Sequence, residues 1–243
     1  MPKYIFFDLD NTLTRSRSAV SPEMSGLLKR LTQKHEVLVV SGGSDAKQIR
    51  PQLGESLRGK YWSMGQNGNV CIDKQGNILW ENKLNWLEKY EVLNYIKAIH
   101  AGNTFPYESE FDLVEDRGSQ ISYSFVGHTE KDITKKERFD PDKKKRAAAL
   151  KTFPFKSKTV EVKIAGTTCF DFYIKGSHKG NNIAALCKRM GWKKSDCLYV
   201  GDALFKNGND ESVIGVIPLK KVRDPKDTEE VIRKLLTKNQ ATI

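Results

Sequence analysis

The chain has 243 residues, of which 38% are hydrophobic and 29% are charged, and its formal net charge is +11. This length accommodates one large domain or two small ones, and the composition excludes a wholly disordered chain. No stretch approaches the roughly 20 apolar residues that cross a bilayer, and the first apolar run is too short for a signal peptide. We therefore expect a soluble, cytoplasmic protein with no membrane partner, whose four cysteines are free thiols.

The first third of the chain alternates between strand and helix patterns. The predicted elements are a buried strand over 4–9, a helix from Ser21-Pro22 to about residue 34, a buried strand over 37–40, and a helix from 44 or 45 to about 53. Continuous apolar runs are typical of strands that are buried on both faces. This βαβα order predicts a parallel sheet with crossover helices.

The middle third follows a different pattern. It predicts a hairpin from strands over 69–72 and 77–80, a helix over 84–100, strands over 120–126, 159–164 and 169–174, and a basic helix over about 141–152. The strands over 120–126 and 159–164 alternate apolar and polar residues, which is typical of an antiparallel sheet with one covered face, and 169–174 resembles another strand. We therefore expect an α+β module with helices on one face of its sheet.

The last third of the chain again alternates between helix patterns and buried apolar strands, as the first third does. It predicts a helix over 179–190, buried strands over 198–200 and 213–219, and a helix over 227–238 that Asp227 and Glu230 start with a capping box. The expected fold is α/β, a Rossmann-like parallel core made of residues 1–82 and 177–243. An α+β cap domain, residues 83–176, is inserted into it.

Acidic residues follow the buried strands of the predicted core. Asp8 and Asp10 end the first strand, and Asp202 follows the strand over 198–200, with Asp210 a few residues later. Ligands of open α/β sheets bind beyond the carboxyl ends of the strands. Carboxylates that converge there would repel each other unless a divalent cation neutralised them, and oxygen ligands suit Mg²⁺.

Two carboxylates in an Asp-x-Asp pattern lie on the same side of an extended chain. One of them is suited to act as a nucleophile that becomes phosphorylated, and the other to move the proton of the leaving oxygen. A cation and a hydroxyl would hold the phosphoryl group, and the candidates are Lys179 with Ser41 or Ser44. Asp-x-Asp alone is also ordinary turn chemistry, so the prediction depends on all of these motifs occurring in order.

The motifs resemble those of the haloacid dehalogenase-like phosphotransferases with a type IIB cap, and most closely the eukaryotic-type phosphomannomutases. DLDNTLT resembles DxDGTLT with asparagine in place of glycine, VVSGGSDAKQIRPQLG resembles VVGGSDxxKxxEQLG, and GDALFKNGND resembles GDxTxPGGND. The resemblance implies a nucleophile at Asp8, a general acid and base at Asp10, and a catalytic lysine at Lys179.

The same resemblance implies the ligand sets of the core. The phosphate-binding residues would be Ser41 or Ser44, with Gly42, Gly43 and Lys179. The Mg²⁺ ligands would be Asp8, Asp202 and Asp210 through their side chains and Asp10 through its backbone carbonyl.

The cap carries the weaker part of the resemblance. Phosphomannomutases have RNGMLNVSPIGR and a later arginine, where this chain has RGSQISYSFVGH, so that histidine replaces the second arginine. Their SxD pair reads CFD here, which keeps the aspartate and loses the serine. The implied substrate-binding residues that work with the cap are Arg17, Arg117, His128, Arg138, Cys169 and Asp171.

These departures favour a phosphatase acting on a phosphorylated sugar over a hexose-phosphate mutase, because histidine is a weaker phosphate clamp than arginine. The mutase remains the alternative, and the sugar stays open. In a different class, the basic run KKERFDPDKKKR would make the cap a nucleic-acid-binding surface, although few aromatic residues are interleaved with it. The resemblance also implies a homodimer formed through the cap.

Overall fold

The structure is a computed structural model that describes residues 1–102, 105–206 and 208–237, which form two compact units. Unit 1 combines Met1–Glu81 with the described residues from Ser177 onward, and unit 2 is Asn82–Gly176. The strands are β1 (Tyr4–Asp8), β2 (Glu36–Val40), β3 (Trp62–Gly65), β4 (Val70–Ile72), β5 (Ile78–Glu81), β6 (Val114–Asp116), β7 (Gln120–Ser124), β8 (Val160–Ala165), β9 (Cys169–Ile174), β10 (Cys197–Gly201) and β11 (Leu219–Lys221). The α-helices are α1 (Pro22–Leu31), α2 (Arg50–Leu53), α3 (Trp86–His100), α4 (Ile133–Phe139), α5 (Lys144–Thr152), α6 (Lys179–Met190) and α7 (Pro225–Thr237). None of these described helices is both long enough and apolar enough to cross a membrane.

Unit 1 is built on one seven-stranded sheet of order β11-β10-β1-β2-β3-β4-β5. Every neighbouring pair from β11 to β3 is parallel, and the last two pairs are antiparallel. From β1 the chain moves outward through β2 and β3 on one side and later through β10 and β11 on the other. This reversal of strand order makes the carboxyl end of β1 a switch point, where open α/β sheets bind ligands.

Two apolar cores cover opposite faces of this sheet. Ile5 and Phe7 of β1 pack with α1 and α7, whereas Phe6 packs with α6. Alternate residues of an extended strand point to opposite faces, so a continuous apolar run serves both cores. The helices on both faces confirm the predicted Rossmann-like α/β class of the core.

Local sequence signals start and end the helices that flank the sheet. Ser21 accepts a hydrogen bond from the backbone N–H of Met24 at 3.1 Å and caps α1, with Pro22 in its first turn. His178 caps α6 in the same way through Asn181. Helix α6 therefore begins at Lys179.

Unit 2 contains a four-stranded antiparallel sheet of order β6-β7-β9-β8. Ile121 of β7 and Phe170 and Phe172 of β9 pack with α3, α4 and α5 in one apolar core. The intervening residues, among them Ser122 and Asp171, belong to the other face of the sheet. This arrangement confirms the predicted α+β class, with an antiparallel sheet that carries helices on one side.

The predicted strand over 213–219 is wrong. A 3₁₀ turn occupies Glu211–Val213, and the strand of this region is β11, which begins at Leu219. Gly215 has φ of 83°, which interrupts an extended chain, and Pro218 has no N–H to donate to a neighbouring strand. Val213 and Ile217 are buried by packing rather than by strand pairing, and Ile214 is exposed.

The predicted basic helix over 141–152 is correct only in its second part. A separate helix, α4, precedes it, and Lys143, in the left-handed conformation with φ of 62°, precedes α5. The helix predicted over 44–53 likewise divides into a π-helical turn over Asp45–Ile49 and the short α2. Charge-rich and proline-containing stretches of this kind carry little apolar periodicity from which to place a boundary.

The predicted start of the last helix is also wrong. Asp224, followed by Pro225 in the first turn, accepts a hydrogen bond from the backbone N–H of Asp227 at 3.0 Å. Asp227 instead pairs with Arg223, its Oδ2 lying 2.7 Å from Nε. The helix therefore begins two residues before Asp227, and residue 238, its predicted end, lies outside the described residues.

Candidate active site

The carboxyl edge of the parallel strands brings the predicted core residues together. Asp8 ends β1 beside Val40, the last residue of β2, so that Ser41 follows at the same edge. On the other side β10 pairs with β1 in parallel and ends at Gly201, which places Asp202 there too. Strand register thus gathers residues that are far apart in the sequence.

Lys179 joins two of the carboxylates. It lies in the first turn of α6, only 1% exposed, and its Nζ donates to Asp8 Oδ1 and to Asp210 Oδ1, the latter at 2.7 Å. Burial alone would lower the pKa of Lys179, but the charges of Asp210 and Asp8 raise it above its ordinary value. Lys179 is therefore a fixed cation between two aspartates.

Asp8 itself is buried at the edge of the sheet. Burial raises its pKa to about 7, against the opposite effect of the Lys179 charge, and the Asp210 charge adds to the rise. Its side chain is poorly solvated, and Lys179 orients it. A poorly solvated, oriented carboxylate is well suited to nucleophilic attack when a cation offsets the charge of its target.

Asp210 is completely buried and uses one oxygen for all its described hydrogen bonds. Oδ1 accepts from Lys179 and from the Tyr199 hydroxyl, both at 2.7 Å. Oδ2 has no hydrogen-bond partner among the described residues. A buried carboxylate oxygen without a partner is costly, so it calls for a ligand such as a cation.

Asp202 completes an acidic cluster. One carboxylate oxygen each from Asp8, Asp202 and Asp210 lies within 4.8 Å of the others, close enough for one ion to bind all three. Thr12 fixes Asp202 by donating to its Oδ1 at 3.3 Å and accepting from its backbone N–H at 3.1 Å. Burial, and after it the Asp210 charge, raises the pKa of Asp202.

Asp10 lies close by but outside this cluster. Its Oδ1 accepts from the backbone N–H of Arg17 at 2.8 Å, and its Oδ2 accepts from Gln48 Nε2 at 2.6 Å. The residue after it, Asn11, has φ of 58°, a conformation that asparagine tolerates better than most residues. That conformation explains why asparagine can stand where the family pattern has glycine.

The two candidate hydroxyls differ in their surroundings. Ser41 directly follows β2, is 3% exposed, and accepts from the Gly43 backbone N–H at 3.2 Å. Ser44 caps the π-helical turn by accepting from Lys47 N–H at 3.2 Å. Between them, Gly43 has no room for a side chain, since a Cβ there would lie 1.8 Å from Gln48 Oε1, whereas a Cβ on Gly42 would lie no closer than 3.7 Å to its neighbours.

Arg17 lies in unit 1, within the part of the chain that the sequence assigns to the core. It is exposed in the loop after β1, with φ of 53°, and its backbone rather than its guanidinium contacts Asp10. Its substrate-binding role, which the resemblance implies from its spacing after Asp8, stays a prediction.

Three of the predicted cap residues gather around Ser122. The Ser122 hydroxyl donates to Asp171 Oδ1 at 2.7 Å, and its carbonyl oxygen lies 3.2 Å from His128 Nε2. Burial raises the pKa of Asp171, and Arg117 is the main group that opposes the rise. Arg117 forms a two-point contact with Glu115, with Nε and Nη2 at 2.8 and 2.7 Å from Oε2.

The other two cap residues are Cys169 and Arg138. Cys169 is paired with Ser124 in the β7–β9 register, two pairs further along the sheet than Asp171 and on the same face. Burial raises the pKa of its thiol, and hydrogen bonding to neighbours that include Ser122 opposes the rise. Arg138 is exposed in the last turn of α4, whose neighbouring Phe139 packs into the helix-side core. None of the described contacts joins Arg138 to the Ser122 group.

Sequence reasoning missed the residues that support the acidic cluster and Asp10. They are Thr12, Gln48, Tyr199 and Gly180, the last because a Cβ there would lie 1.8 Å from the Ser212 carbonyl oxygen. Tyr199 carried a usable signal, because a tyrosine in a fully buried strand usually needs a partner for its hydroxyl. The others act through contacts between elements that are distant in the sequence.

Comparison with known proteins agrees with this geometry. The sequence model of one family, described as haloacid dehalogenase-like hydrolase, matches residues 5–214. The chain belongs to this family. It is accordingly an enzyme of the phosphatase or mutase type.

The relatives of this haloacid dehalogenase-like hydrolase include phosphomannomutases. Phosphomannomutase 1 of Dictyostelium discoideum is 26% identical over 259 residues, which cover 96% of each chain. A phosphomannomutase of Schizosaccharomyces pombe is 28% identical and covers 95% of this chain and 93% of its own. One from Triticum aestivum is 28% identical, with 85% and 84% covered.

Solved structures share the fold at lower identity. SMU.1108c from Streptococcus mutans UA159 superposes with a TM-score of 0.72 at 16% identity, over 98% of this chain and all of its own. The IMP-nucleotidase of Plasmodium falciparum gives 0.70 at 13% identity, over all of this chain and 64% of its own. These likenesses establish the fold of the haloacid dehalogenase-like hydrolase, not its substrate.

Proposed function

We propose that the protein is a Mg²⁺-dependent phosphomonoester hydrolase that acts on a phosphorylated sugar through an aspartyl-phosphate on Asp8. The observation that carries this proposal is the buried network in which Lys179 holds Asp8 and Asp210. Such a network orients a nucleophile and places positive charge where a phosphoryl group would arrive. The membership of the family supports the same reaction class.

The acidic cluster fits Mg²⁺. Asp8, Asp202 and Asp210 offer oxygen ligands, and Asp210 Oδ2 is a buried oxygen that needs a partner. We add the backbone carbonyl of Asp10 to this set because of the resemblance described above. Bound there, the ion would neutralise negative charge on the transferring phosphoryl oxygens.

The chain's own residues account for the remaining steps. An Asp8 carboxylate oxygen forms a bond to phosphorus while the bond from phosphorus to the sugar oxygen breaks. Asp10 gives its proton to the departing oxygen, and later takes a proton from the water that attacks the phosphorus of the aspartyl-phosphate. Phosphate then leaves, and Asp8 is regenerated beside Lys179.

We assign the phosphate-binding hydroxyl to Ser41 rather than Ser44. Each serine oxygen accepts one backbone N–H, but Ser41 directly follows β2 next to Asp8, whereas Ser44 comes later, at the start of the π-helical turn. The backbone of Gly42 and Gly43 and the Lys179 ammonium would complete the phosphate site. Anions are stabilised by backbone N–H groups at a chain segment that enters a helix.

The cap favours hydrolysis over mutase activity. His128 is held through its ring nitrogen near the Ser122 carbonyl, and burial lowers its pKa, so it is neutral at physiological pH. Arg117 already shares its guanidinium with Glu115. A mutase has to bind a second phosphate group of its substrate. His128 and Arg117 would give that phosphate less positive charge than two arginines without acidic partners. We keep Arg17, Arg117, His128, Arg138, Cys169 and Asp171 as proposed substrate-binding positions.

A hexose-phosphate mutase is the second candidate, because the curated relatives that match over nearly the whole chain are phosphomannomutases. Both candidates share the aspartyl-phosphate step. In the hydrolase, water attacks the phosphorus of the aspartyl-phosphate, whereas in the mutase a sugar hydroxyl does so.

The proposal is tested by phosphate release from a panel of sugar phosphates, with MgCl₂ or with EDTA. We expect Mg²⁺-dependent release by the wild type and none by Asp8→Asn. The matched control is Asp196→Asn, because Asp196 lies at the opposite end of β10, next to Cys197. Turnover by the Asp8 variant, or full activity in EDTA, would contradict the proposal.

A nucleic-acid-binding role of the basic cap is the alternative from another class. It predicts affinity for RNA or DNA that falls steeply as salt rises, which a filter-binding titration would measure.

We also propose a cytoplasmic enzyme that forms a homodimer through the cap. In unit 2, α3 exposes Trp86, Leu87, Tyr90 and Leu93, and Leu93→Glu would test whether this apolar face maintains a dimer in sedimentation experiments.

A further inference from the structure

The carboxylate of Asp10 is held by neutral donors, unlike that of Asp8. Gln48 Nε2 donates to Oδ2 at 2.6 Å and the Arg17 backbone N–H donates to Oδ1 at 2.8 Å. No lysine, arginine or histidine among the described residues forms an ion pair with Asp10. Gln52 lies nearby, but in its satisfied orientation its oxygen accepts from the backbone N–H groups of Arg17 and Ser18, at 3.1 and 3.3 Å. Gln48 is therefore the principal side-chain partner of Asp10.

The local fold is adapted to bring Gln48 to this position. Gln48 lies in the π-helical turn over Asp45–Ile49, and such turns are frequent at functional sites. Its side chain occupies the space that a Cβ of Gly43 would need, with Oε1, Cδ and Cβ at 1.8, 2.6 and 2.8 Å from that position. Gly43 has no positive φ that would itself demand glycine. Its missing side chain is thus explained by the room that Gln48 takes.

An amide partner suits a residue that changes its protonation state. The NH₂ of glutamine donates to a carboxylate, and its carbonyl oxygen accepts from a carboxylic acid, whereas an ammonium can only donate. An ammonium would also favour the ionised form of its partner. Glutamine can therefore hold the Asp10 side chain both before and after proton transfer.

We infer that Gln48 is the positioning residue of the general acid, orienting Asp10 toward the leaving oxygen, and that Gly43 provides the space for it. The inference depends on the proposed phosphoryl transfer. In that step the Asp10 proton moves to the sugar oxygen as the bond from phosphorus to oxygen breaks. Gln48 forms no bond to substrate and transfers no proton.

The test compares two leaving groups. Mannose 6-phosphate releases an alcohol that needs a proton, whereas 4-nitrophenyl phosphate releases a stabilised phenolate that does not. The measured quantity is kcat/KM, which reports the steps up to formation of the aspartyl-phosphate and not its later hydrolysis. We expect Gln48→Leu to lower kcat/KM about 10- to 100-fold for mannose 6-phosphate, because part of the general-acid contribution is lost. For 4-nitrophenyl phosphate we expect a change below about threefold.

Three further variants make the test specific. Gln75→Leu, in the exposed turn between β4 and β5, is the matched control and should leave both substrates unchanged. Gly43→Ala should reproduce the substrate-selective loss, because the added methyl group displaces the Gln48 side chain. Combined with Gln48→Leu it should add less than about twofold, since the two changes disturb one interaction. Thermal unfolding checks that every variant is folded.

Asp10→Ala separates this inference from the proposed function. If Asp10→Ala shows the substrate-selective loss and Gln48→Leu does not, the inference is wrong and the proposed function stands. Equal losses on both substrates in Gln48→Leu would indicate a merely structural role and would also overturn it. If Asp10→Ala itself affects both substrates equally, or the wild type hydrolyses neither, the proposed role of Asp10 fails, and the inference fails with it.

Discussion

Tyr199 donates its hydroxyl hydrogen to Asp210 Oδ1 at 2.7 Å, while Oδ2 of the same carboxylate has no partner among the described residues. Tyr199 thus fixes the orientation of the Asp210 carboxylate, whose Oδ2 is left available for a ligand. Partners of this kind commonly determine how tightly a metal ligand binds its ion.

Removal of that hydroxyl should weaken metal binding. We expect Tyr199→Phe to lower the affinity for Mg²⁺ about 10-fold, because the carboxylate of Asp210 loses one of its two described orienting contacts. Calorimetric titration of the apoprotein with MgCl₂ measures this directly. Tyr90→Phe, on the exposed face of α3, should leave the affinity unchanged. An unaltered affinity in Tyr199→Phe would show that Lys179 alone orients Asp210.

Metal binding should strengthen as the pH rises through neutrality. Burial raises the pKa of Asp8 to about 7, so that without metal a large fraction of the side chain is protonated below that pH. The ion requires the carboxylate, and binding must then release a proton. We expect up to about a tenfold loss of Mg²⁺ affinity for each pH unit below about 7, and a plateau above about 8. An affinity that is flat between pH 6 and 8 would argue against Asp8 as a ligand with a raised pKa.

Asp10 should matter for the chemical steps more than for metal binding. We expect Asp10→Ala to retain most of the Mg²⁺ affinity, since the implied ligand is its backbone carbonyl, and to slow turnover by roughly 10²–10⁴-fold. Turnover and calorimetric titration on the same preparation separate the two effects. A parallel collapse of metal affinity would instead place the Asp10 side chain among the ligands.

A buried arginine should hold the cap unit together. Arg146 is 1% exposed, contacts Asp140 Oδ2 through Nε at 2.8 Å, and donates through Nη1 to the Ala165 carbonyl at 2.8 Å. We expect Arg146→Met to cost about 3–5 kcal/mol in the free energy of unfolding, because it leaves a buried carboxylate without its partner.

Denaturant titration with a tryptophan or circular dichroism signal measures this cost. Arg138→Met, on the exposed surface of α4, is the matched control and should change stability by no more than about 0.5 kcal/mol. A similar small effect for Arg146→Met would mean that the hydrogen bonds of Asp140 to the backbone N–H groups of Lys145 and Arg146 are sufficient to hold that carboxylate.

The burial of Arg146 could not be predicted from the sequence. Arg146 belongs to the basic run KKERFDPDKKKR, which by itself indicates a solvated surface. Its burial depends on carbonyl groups at the β8–β9 turn, some 20 residues later in the chain. No local pattern encodes that contact.

The parallel core was predictable because its signals are local. Apolar runs that end in acidic residues mark buried strands and the edge to which they point, and proline and serine mark the start of α1. The strand over 213–219 failed because an apolar run is equally compatible with buried irregular chain. The supporting role of Gln48 could not be predicted, since it depends on the packing of elements that are distant in sequence, whereas Tyr199 offered the signal of a buried hydroxyl that needs a partner.

We propose that water, not a sugar hydroxyl, attacks the phosphorylated aspartate and releases phosphate. The most direct measurement incubates the enzyme with Mg²⁺ and mannose 1-phosphate or glucose 1-phosphate, with and without hexose bisphosphate, and quantifies both free phosphate and the 6-phosphate. We expect phosphate release that does not require the bisphosphate and no accumulation of the 6-phosphate. Bisphosphate-dependent isomerisation without phosphate release would contradict it and would identify a mutase.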